Sequence, residues 1–298
     1  MNTPNTATLL NPHNGNLALK IFAFEDNHAF DHVQRHNYYS VILVEEGTYT
    51  LKADTAEYAL EGSSILCFAP YQPFMIRTTA PHLRGWALHF HPDFFCIHKH
   101  DREIACNGIL FNTIFEPPFV VLNSLLTDEF RTLLLQMLGE MAHSELAQYE
   151  MLVAQLKIFL IQASRLKREQ QTTSRPASAA EATSLAEPVM LQRLRDAVEQ
   201  HYRTRRSARD YADLLHISAK ALAKITKRYY HKTLTDIIAE RVIIEAKREL
   251  YLTSKSVKEI AYELGFQDEH YFSRFFKTNA DVSPQLYRDT VGFARAEV

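Results

Sequence analysis

The chain has 298 residues and a mass of 34.4 kDa, with 46% hydrophobic and 23% charged residues and a formal net charge of −2. These values fit a globular protein long enough for two domains and exclude a disordered chain, and no apolar run approaches the ~20 residues that a membrane helix needs. The small net charge hides an asymmetry, because residues 189–298 carry 20 Lys and Arg against 15 Asp and Glu while residues 1–188 carry 13 against 20. A polyanionic partner is therefore expected for the C-terminal part only.

The N-terminus, MNTPNTATLLNPHNGN, is polar and lacks the basic-then-apolar order of a signal peptide. Cys67, Cys96 and Cys106 are too few and too unevenly spaced for a disulfide framework. A reducing cytoplasm is the expected compartment, with no membrane partner.

Residues 17 to about 122 read as strands. YYSVILVEEGTYTL looks like a strand, a turn at Glu46-Gly47 and a second strand in alternating pattern, and EYALEGSSILCFAP and LRGWALHF repeat the style. Many short strands with no helical pattern between them predict a barrel or sandwich over residues 1–126.

Long helical patterns begin at residue 127. Leu134, Met137, Leu138 and Met141 line one helix, and Leu152, Leu156, Phe159 and Leu160 line a second, within 127–169. Both faces are more apolar than a lone surface helix requires. They are open to two readings, packing on their own domain or a homodimer interface through Leu152, Leu156 and Phe159. QTTSRPASAAEATSLAEP, rich in Ala, Ser and Thr with two prolines, reads as a linker over 170–188, where the charge changes sign.

From Val189 onward the pattern is helical. In SARDYADLLHISAKALAKITKRYYHKTL, Ser207 begins a capping box with Asp210, Ala212 and Leu215 bury one helix, and Ser218 caps a second helix buried through Leu222 and Ile225. A long helix follows, with Ile238, Val242, Ala246 and Leu250 inward. The next motif is VKEIAYELGFQDEHYFSRFFK. There Val257, Ile260, Ala261 and Leu264 form one apolar face, Gly265 suits a left-handed turn, and Asp268 caps a helix anchored by Phe272, Phe275 and Phe276. The outer face of that last helix holds only Glu269, His270, Ser273, Arg274 and Lys277.

Two helix-turn-helix units joined by one helix explain both the charge and the polar outer faces. A helix fits the major groove of B-DNA and reads base edges with its outward side chains, so it needs a rigid apolar back. Arg274 has the geometry for a bidentate contact to guanine, and His270, Ser273 and Glu269 can read neighbouring edges. Lys227, Lys255 and Lys277 stand near helix ends, where phosphates pass.

In the helix ending at Leu250, in SVKEIAYELGFQDEHYFSRFFK and in VSPQLYR at 282–288, the sequence resembles the AraC/XylS-type DNA-binding domain of bacterial transcription regulators. The resemblance covers residues 189–298, and residues 1–169 resemble the family's cupin-like sensor domain only in general style. Three positions depart from the family pattern. His231 and Asp281 stand where glycine is usual before TLTDII and VSPQLYR, and Thr226 stands where an aromatic is usual. His and Asp are among the residues that tolerate positive φ, so those turns are expected to survive, whereas Thr226 is expected to loosen the first unit.

The resemblance implies recognition helices at Ser218–Arg228 and Asp268–Lys277, with base-facing Lys220 and Lys224 in the first and Glu269, His270, Ser273 and Arg274 in the second. It also implies an α+β two-domain fold: a cupin-like β-barrel followed by a helix pair, then an all-α domain with two helix-turn-helix units. A small-molecule effector would be held in the barrel, with Tyr39, Trp86 and His89 as candidates, and RNA polymerase would be a further partner. Metal-binding cupins use an H-x-H pair, and His89-x-His91 places both rings on one strand face. The glycine-rich spacing around such a pair is missing and a proline follows His91, so this stretch, with His98 and His100, is read as surface histidines and no metal or cofactor is assigned.

The leading expectation is a cytoplasmic, effector-controlled transcription activator that binds promoter half-sites as a homodimer and is not an enzyme. The alternatives are a cupin-type metalloenzyme with an accessory helical domain and an effector-independent DNA-binding protein.

Overall fold

The computed structural model describes residues 5–11, 15–78, 83–98, 100–104, 106–143, 145–173 and 186–291. They fall into two units, Met1–Thr113 with Pro118–Gln171 and Ile114–Pro117 with Thr172–Val298. The first carries antiparallel sheets and a helix pair, and the second is helical, an α+β arrangement of two domains.

The strands of the first unit are β1 (Thr6–Leu10), β2 (Leu17–Phe24), β3 (Tyr39–Glu46), β4 (Thr48–Ala53), β5 (Ala56–Glu61), β6 (Ser64–Phe68), β7 (Phe74–Arg77), β8 (Arg84–Phe90) and, after the short helix α1 (Asp101–Ile104), β9 (Phe119–Val121). They form a six-stranded sheet in the order β1-β2-β8-β3-β6-β9 and a three-stranded sheet in the order β5-β4-β7. The expected turn at Glu46-Gly47 does not fold two strands onto each other. β3 pairs with β6 and β8, whereas β4 pairs with β5 and β7. Gly47, at φ 139°, carries the chain from one sheet to the other.

Two apolar layers follow from the strand alternation. One face of the larger sheet presents Ile42, Val44, Phe68 and Ala87 to Leu51, Phe74 and Ile76 of the smaller sheet, and the rings of Phe68 and Phe74 stack at 3.9 Å. The other face presents Leu19, Tyr39, Val41, Leu88 and Phe90 to the helices α2 (Ser124–Met141) and α3 (Gln148–Thr173). Asn123 caps α2, its side chain accepting from the Leu126 amide at 2.9 Å.

This second layer corrects the residues expected at a dimer seam. Leu152, Leu156 and Phe159 are fully buried within the unit, where Phe159 meets Phe130 of α2 at 4.7 Å between ring centroids. The apolar stripe on α3 is covered by its own sheet and by α2. The expected linker is shorter than 170–188 as well, because residues 170–173 complete α3 and 186–188 begin α4 (Ala186–His201). The remainder of that linker, 174–185, lies outside the described residues.

The second unit continues with α5 (Ala208–Leu215), α6 (Ala219–Tyr230), α7 (Leu234–Leu252), α8 (Val257–Glu263), α9 (Glu269–Ala280) and α10 (Pro284–Val291). α7 is its axle, packing against α4, α6, α8, α9 and α10 through Ile237, Ile238, Val242, Ala246 and Leu250. Among the described residues no helix is long and apolar enough to cross a membrane.

Candidate nucleic-acid interface

Each helix-turn-helix is set by caps and a left-handed residue. In the first unit Ser207 and Asp210 form a reciprocal capping box at the start of α5, and His216, at φ 56°, ends it. Ser218 then caps α6, accepting from the Ala221 amide at 3.1 Å. In the second, Ser256 and Glu259 form the capping box of α8, Gly265 turns the chain at φ 81°, and Asp268 caps α9 by accepting from the amides of His270 and Tyr271 at 3.0 Å each. Those amide donors, His270's first, hold the Asp268 carboxyl below its usual pKa, so the cap stays charged at the positive end of the helix.

Gly265 is fixed by two demands. Its φ disfavours any side chain, and a Cβ there would stand 1.9 Å from the carbonyl oxygen of Arg203. The glycines absent from the family pattern are replaced as expected, since His231 and Asp281 adopt φ 56° and 61° at the ends of α6 and α9.

α9 turns Phe272, Phe276 and Ala280 inward. Phe275, expected as a third anchor, is half-buried, and it leans on Phe266 at 5.2 Å. The buried residues of α6 are Leu222, Thr226 and Tyr230, while Ile225 is only half-buried. Thr226 therefore takes a core position, and its hydroxyl donates to the Ala223 carbonyl at 3.2 Å, which satisfies it inside the helix.

The outward faces carry the predicted residues. Lys220, Lys224 and Lys227 are all exposed on α6. On α9, His270, Arg274 and Lys277 are exposed, and Glu269 and Ser273 are half-buried. None of Lys220, Lys224, Lys227, Arg274 and Lys277 makes an ion pair among the described residues, so their charge is available to a polyanion. Lys255 is placed differently. Its ammonium donates to Glu249 at 2.9 Å and Glu263 at 2.6 Å, and these carboxylates, Glu263's first, raise its pKa. Lys255 thus joins the end of α7 to the end of α8.

Three residues that support these helices had not been singled out. Arg206 donates to the Leu264 carbonyl at 2.6 Å and stacks on Phe266. Arg288 donates to the carbonyls of Leu250 and Lys255 at 3.1 and 2.6 Å, and its neighbour Tyr287 meets Phe276 at 5.8 Å, so VSPQLYR fastens α9 and the α7–α8 turn together. Glu245, buried in α7, accepts from Arg203, Arg241 and Arg248 at 3.4, 3.0 and 3.0 Å. Burial alone would raise its carboxyl pKa, and the arginines, Arg241 foremost, outweigh that and lower it. In the sequence these residues are ordinary charges. Only the side chains brought together by the fold distinguish them.

The effector candidates fall on different faces of the sheet. Tyr39 stacks on Phe90 at 5.0 Å in the layer facing the helices, and half-buried Trp86 packs against the same layer. His89 lies on the opposite face, across from Lys20 and Ser40. Trp86 and His89 are an odd number of residues apart on one strand, so the pleat separates them. The expectation of surface histidines is also corrected, because His89 and His91 are each only 3% exposed. Among the described residues no group of three or more His, Cys, Asp or Glu is placed to hold a metal ion.

A family model described as a helix-turn-helix domain matches residues 211–290. The HTH-type transcriptional activator Btr of Bacillus subtilis (strain 168) is 31% identical over 84 residues, which are 28% of this chain and 16% of that protein. The HTH-type transcriptional activator RhaS of Enterobacter sp. (strain 638) is 22% identical over 269 residues, covering 89% of this chain and 88% of that one. Among solved structures, a lysine-to-alanine variant of apo ToxT from Vibrio cholerae strain SCE256 matches with a TM-score of 0.41 at 16% identity, over 93% of this chain and 98% of that one. The chain spans less than half the length of Btr and of two other curated relatives that it matches. With two capped helix pairs on one axle helix and the family model matching this segment, residues 211–290 are a helix-turn-helix domain of the AraC type.

Proposed function

We propose that the chain is a transcription regulator that binds promoter half-sites in double-stranded DNA, with α6 and α9 each entering a major groove. The observation that carries this reading is the pair of recognition helices with buried apolar backs and outward Lys220, Lys224, Lys227, Arg274 and Lys277, which make no ion pair among the described residues. Arg274 is assigned the bidentate guanine contact, with Glu269, His270 and Ser273 on neighbouring base edges. Lys220 and Lys224 read bases from the first unit, and Lys227 and Lys277 hold phosphates. Lys255 is reassigned from phosphate contact to fastening α8.

The sheet domain, cupin-like in its run of short strands, is assigned effector binding over residues 1–126, and residues 189–298 are assigned DNA binding. Activation is the favoured direction, supported by the description of RhaS, which matches across both domains, as a transcriptional activator. The chain would work in the cytoplasm as a homodimer, with RNA polymerase as a further partner. Since Leu152, Leu156 and Phe159 are core, the dimer surface is reassigned to the outer sides of the helix pair, where Leu125, Met151 and Ile158 are exposed. Mapping across the genome the DNA bound by the full chain tests the reading. Sites that share a sequence and cluster at promoters support it, and binding without sequence preference removes it.

A further inference from the structure

One place in the sheet domain gathers hydrogen-bond donors and one cation, Lys20, with no anion among the described residues to meet it. Lys20 of β2 and Ser40 of β3 both pair with His89 of β8, so all three side chains leave the same face of the larger sheet, the face turned to the smaller one. Phe22 shares this face, and His36 and Tyr38, just before β3, close over it. The ring centroids of Phe22, His36 and Tyr38 stand 5.4, 5.6 and 4.8 Å from that of His89, and His36 stacks on Tyr38 at 4.6 Å.

The cluster is graded from surface to core. Lys20, Phe22, His36 and Tyr38 are half-buried, whereas His89 is 3% exposed. At this depth His89 Nδ1 has no hydrogen-bond partner among the described residues. Buried polar atoms in folded proteins are nearly always partnered, so an orphan at the floor of a half-open cluster points to a missing acceptor or donor. The Lys20 ammonium rests 4.9 Å from the Phe22 ring centroid and has no ion pair among the described residues.

The fixed charge of the cluster is the Lys20 ammonium, since burial keeps both imidazoles neutral. Besides burial, the groups that disfavour the charged form of His36 are His32 and Lys20, and those acting on His89 are His36 and Lys20. Among the described residues no carboxylate acts on either ring. Asp31, in the exposed loop before β3, is engaged by His32 at 2.9 Å and His28 at 3.7 Å. An ammonium, two imidazoles and a phenol around aromatic faces complement a ligand with a compact negative head and an apolar body.

We infer that this cluster is the effector seat and that the effector is a small organic monocarboxylate, its oxygens accepting from Lys20 and His89 and its apolar part lying on Phe22 and Tyr38. Such a ligand would supply the acceptor that His89 Nδ1 lacks and the counter-charge that Lys20 lacks. The inference rests on the regulator reading for the word effector, and on the cluster alone for the site.

The test uses the full chain with acetate, phenylacetate and octanoate, each beside its neutral amide, at millimolar concentration. Thermal unfolding and calorimetry report binding, and the imidazole ¹⁵N resonances of His89 report its place. The expected result is that at least one carboxylate raises the unfolding midpoint and shifts His89 while its amide does neither. Lys20→Met should weaken that carboxylate about tenfold or more, as loss of a charge-assisted hydrogen bond does. His89→Phe should weaken it too, and because that variant disturbs the core, Lys20→Met at the half-buried rim is the deciding one. Failure of all three carboxylates, equal binding of an acid and its amide, or unchanged affinity in Lys20→Met overturns the inference. DNA binding by the ligand-free chain is measured in parallel. Its loss would count against the regulator reading alone, and failed carboxylate binding with intact DNA binding would count against this site alone.

Discussion

The guanidinium carbon of Arg206 lies 3.5 Å from the centroid of the Phe266 ring, and the same side chain donates to the carbonyl of Leu264 at 2.6 Å. Arg206 directly precedes the Ser207 cap of the first helix-turn-helix, and Leu264 and Phe266 flank the turn of the second. One side chain thus fastens the entry of one unit to the turn of the other. Burial lowers the arginine's pKa from its usual value, the mark of a guanidinium taken from water to make these contacts.

Arg206→Ala is expected to lower the stability of the second unit by about 2–4 kcal/mol, combining a buried cation–π contact with a charged hydrogen bond. Arg206→Lys should recover only part of that, since an ammonium cannot stack and donate in the same plane. Urea unfolding of both variants checks this, and equal stability of the two would remove the stacking argument.

Two glycines should respond with opposite sign to the same change. Gly265→Ala meets both a φ of 81° and the Arg203 carbonyl, and it should cost about 1–3 kcal/mol or more. Gly139→Ala in α2 has open space around the new methyl group and should stabilise by about 0.5–1 kcal/mol. Thermal unfolding of the two variants makes the comparison.

Leu156→Ala removes a fully buried side chain from the layer between helices and sheet, so about 2–5 kcal/mol of stability should be lost. Sedimentation of the folded variant should give the same oligomeric state as the parent. A change to monomer without loss of stability would return the residue to a dimer seam.

Burial, then neighbouring cations, holds His36 down to about 4 and His89 down to about 3, from an ordinary value near 6.5. Above pH 6.5 both states are neutral and neither group contributes. As pH falls below about 6.5 the unfolded chain takes up protons that the folded chain refuses, so stability falls with a slope approaching about 1.4 kcal/mol per pH unit for each ring. Unfolding midpoints between pH 7 and 5 should therefore fall less steeply in His89→Gln than in the parent. An unchanged slope would mean that His89 takes up a proton without unfolding.

Much of the DNA-binding domain was legible in the sequence because its determinants are local. Caps at Ser207, Ser218 and Asp268, the turn at Gly265 and the inward faces through Leu222 and Phe272 depend on residues a few positions apart. His231 and Asp281 were legible for the same reason. An apolar stripe, by contrast, does not say what covers it, which is why Leu152, Leu156 and Phe159 suited a dimer seam as well as a core. Long-range partners such as Arg206 with Phe266, or Lys255 with Glu249 and Glu263, carry no sequence mark. The separation of Trp86 from His89 was available from strand alternation, but only once both were placed on one strand.

The most direct measurement selects sites from a random duplex pool with the full chain and then compares Arg274→Ala and Lys277→Ala on those sites and their single-base-pair variants at two salt concentrations. Both side chains are exposed on α9, so neither change should unfold the domain. Arg274→Ala should cost about 1–3 kcal/mol and relax preference at the base pair it reads, while Lys277→Ala should weaken all sites alike and reduce the salt slope by about one. If no shared sequence is selected, or if Arg274→Ala weakens every site equally and keeps their ranking, then this helix does not read bases through that arginine and the account fails at its centre.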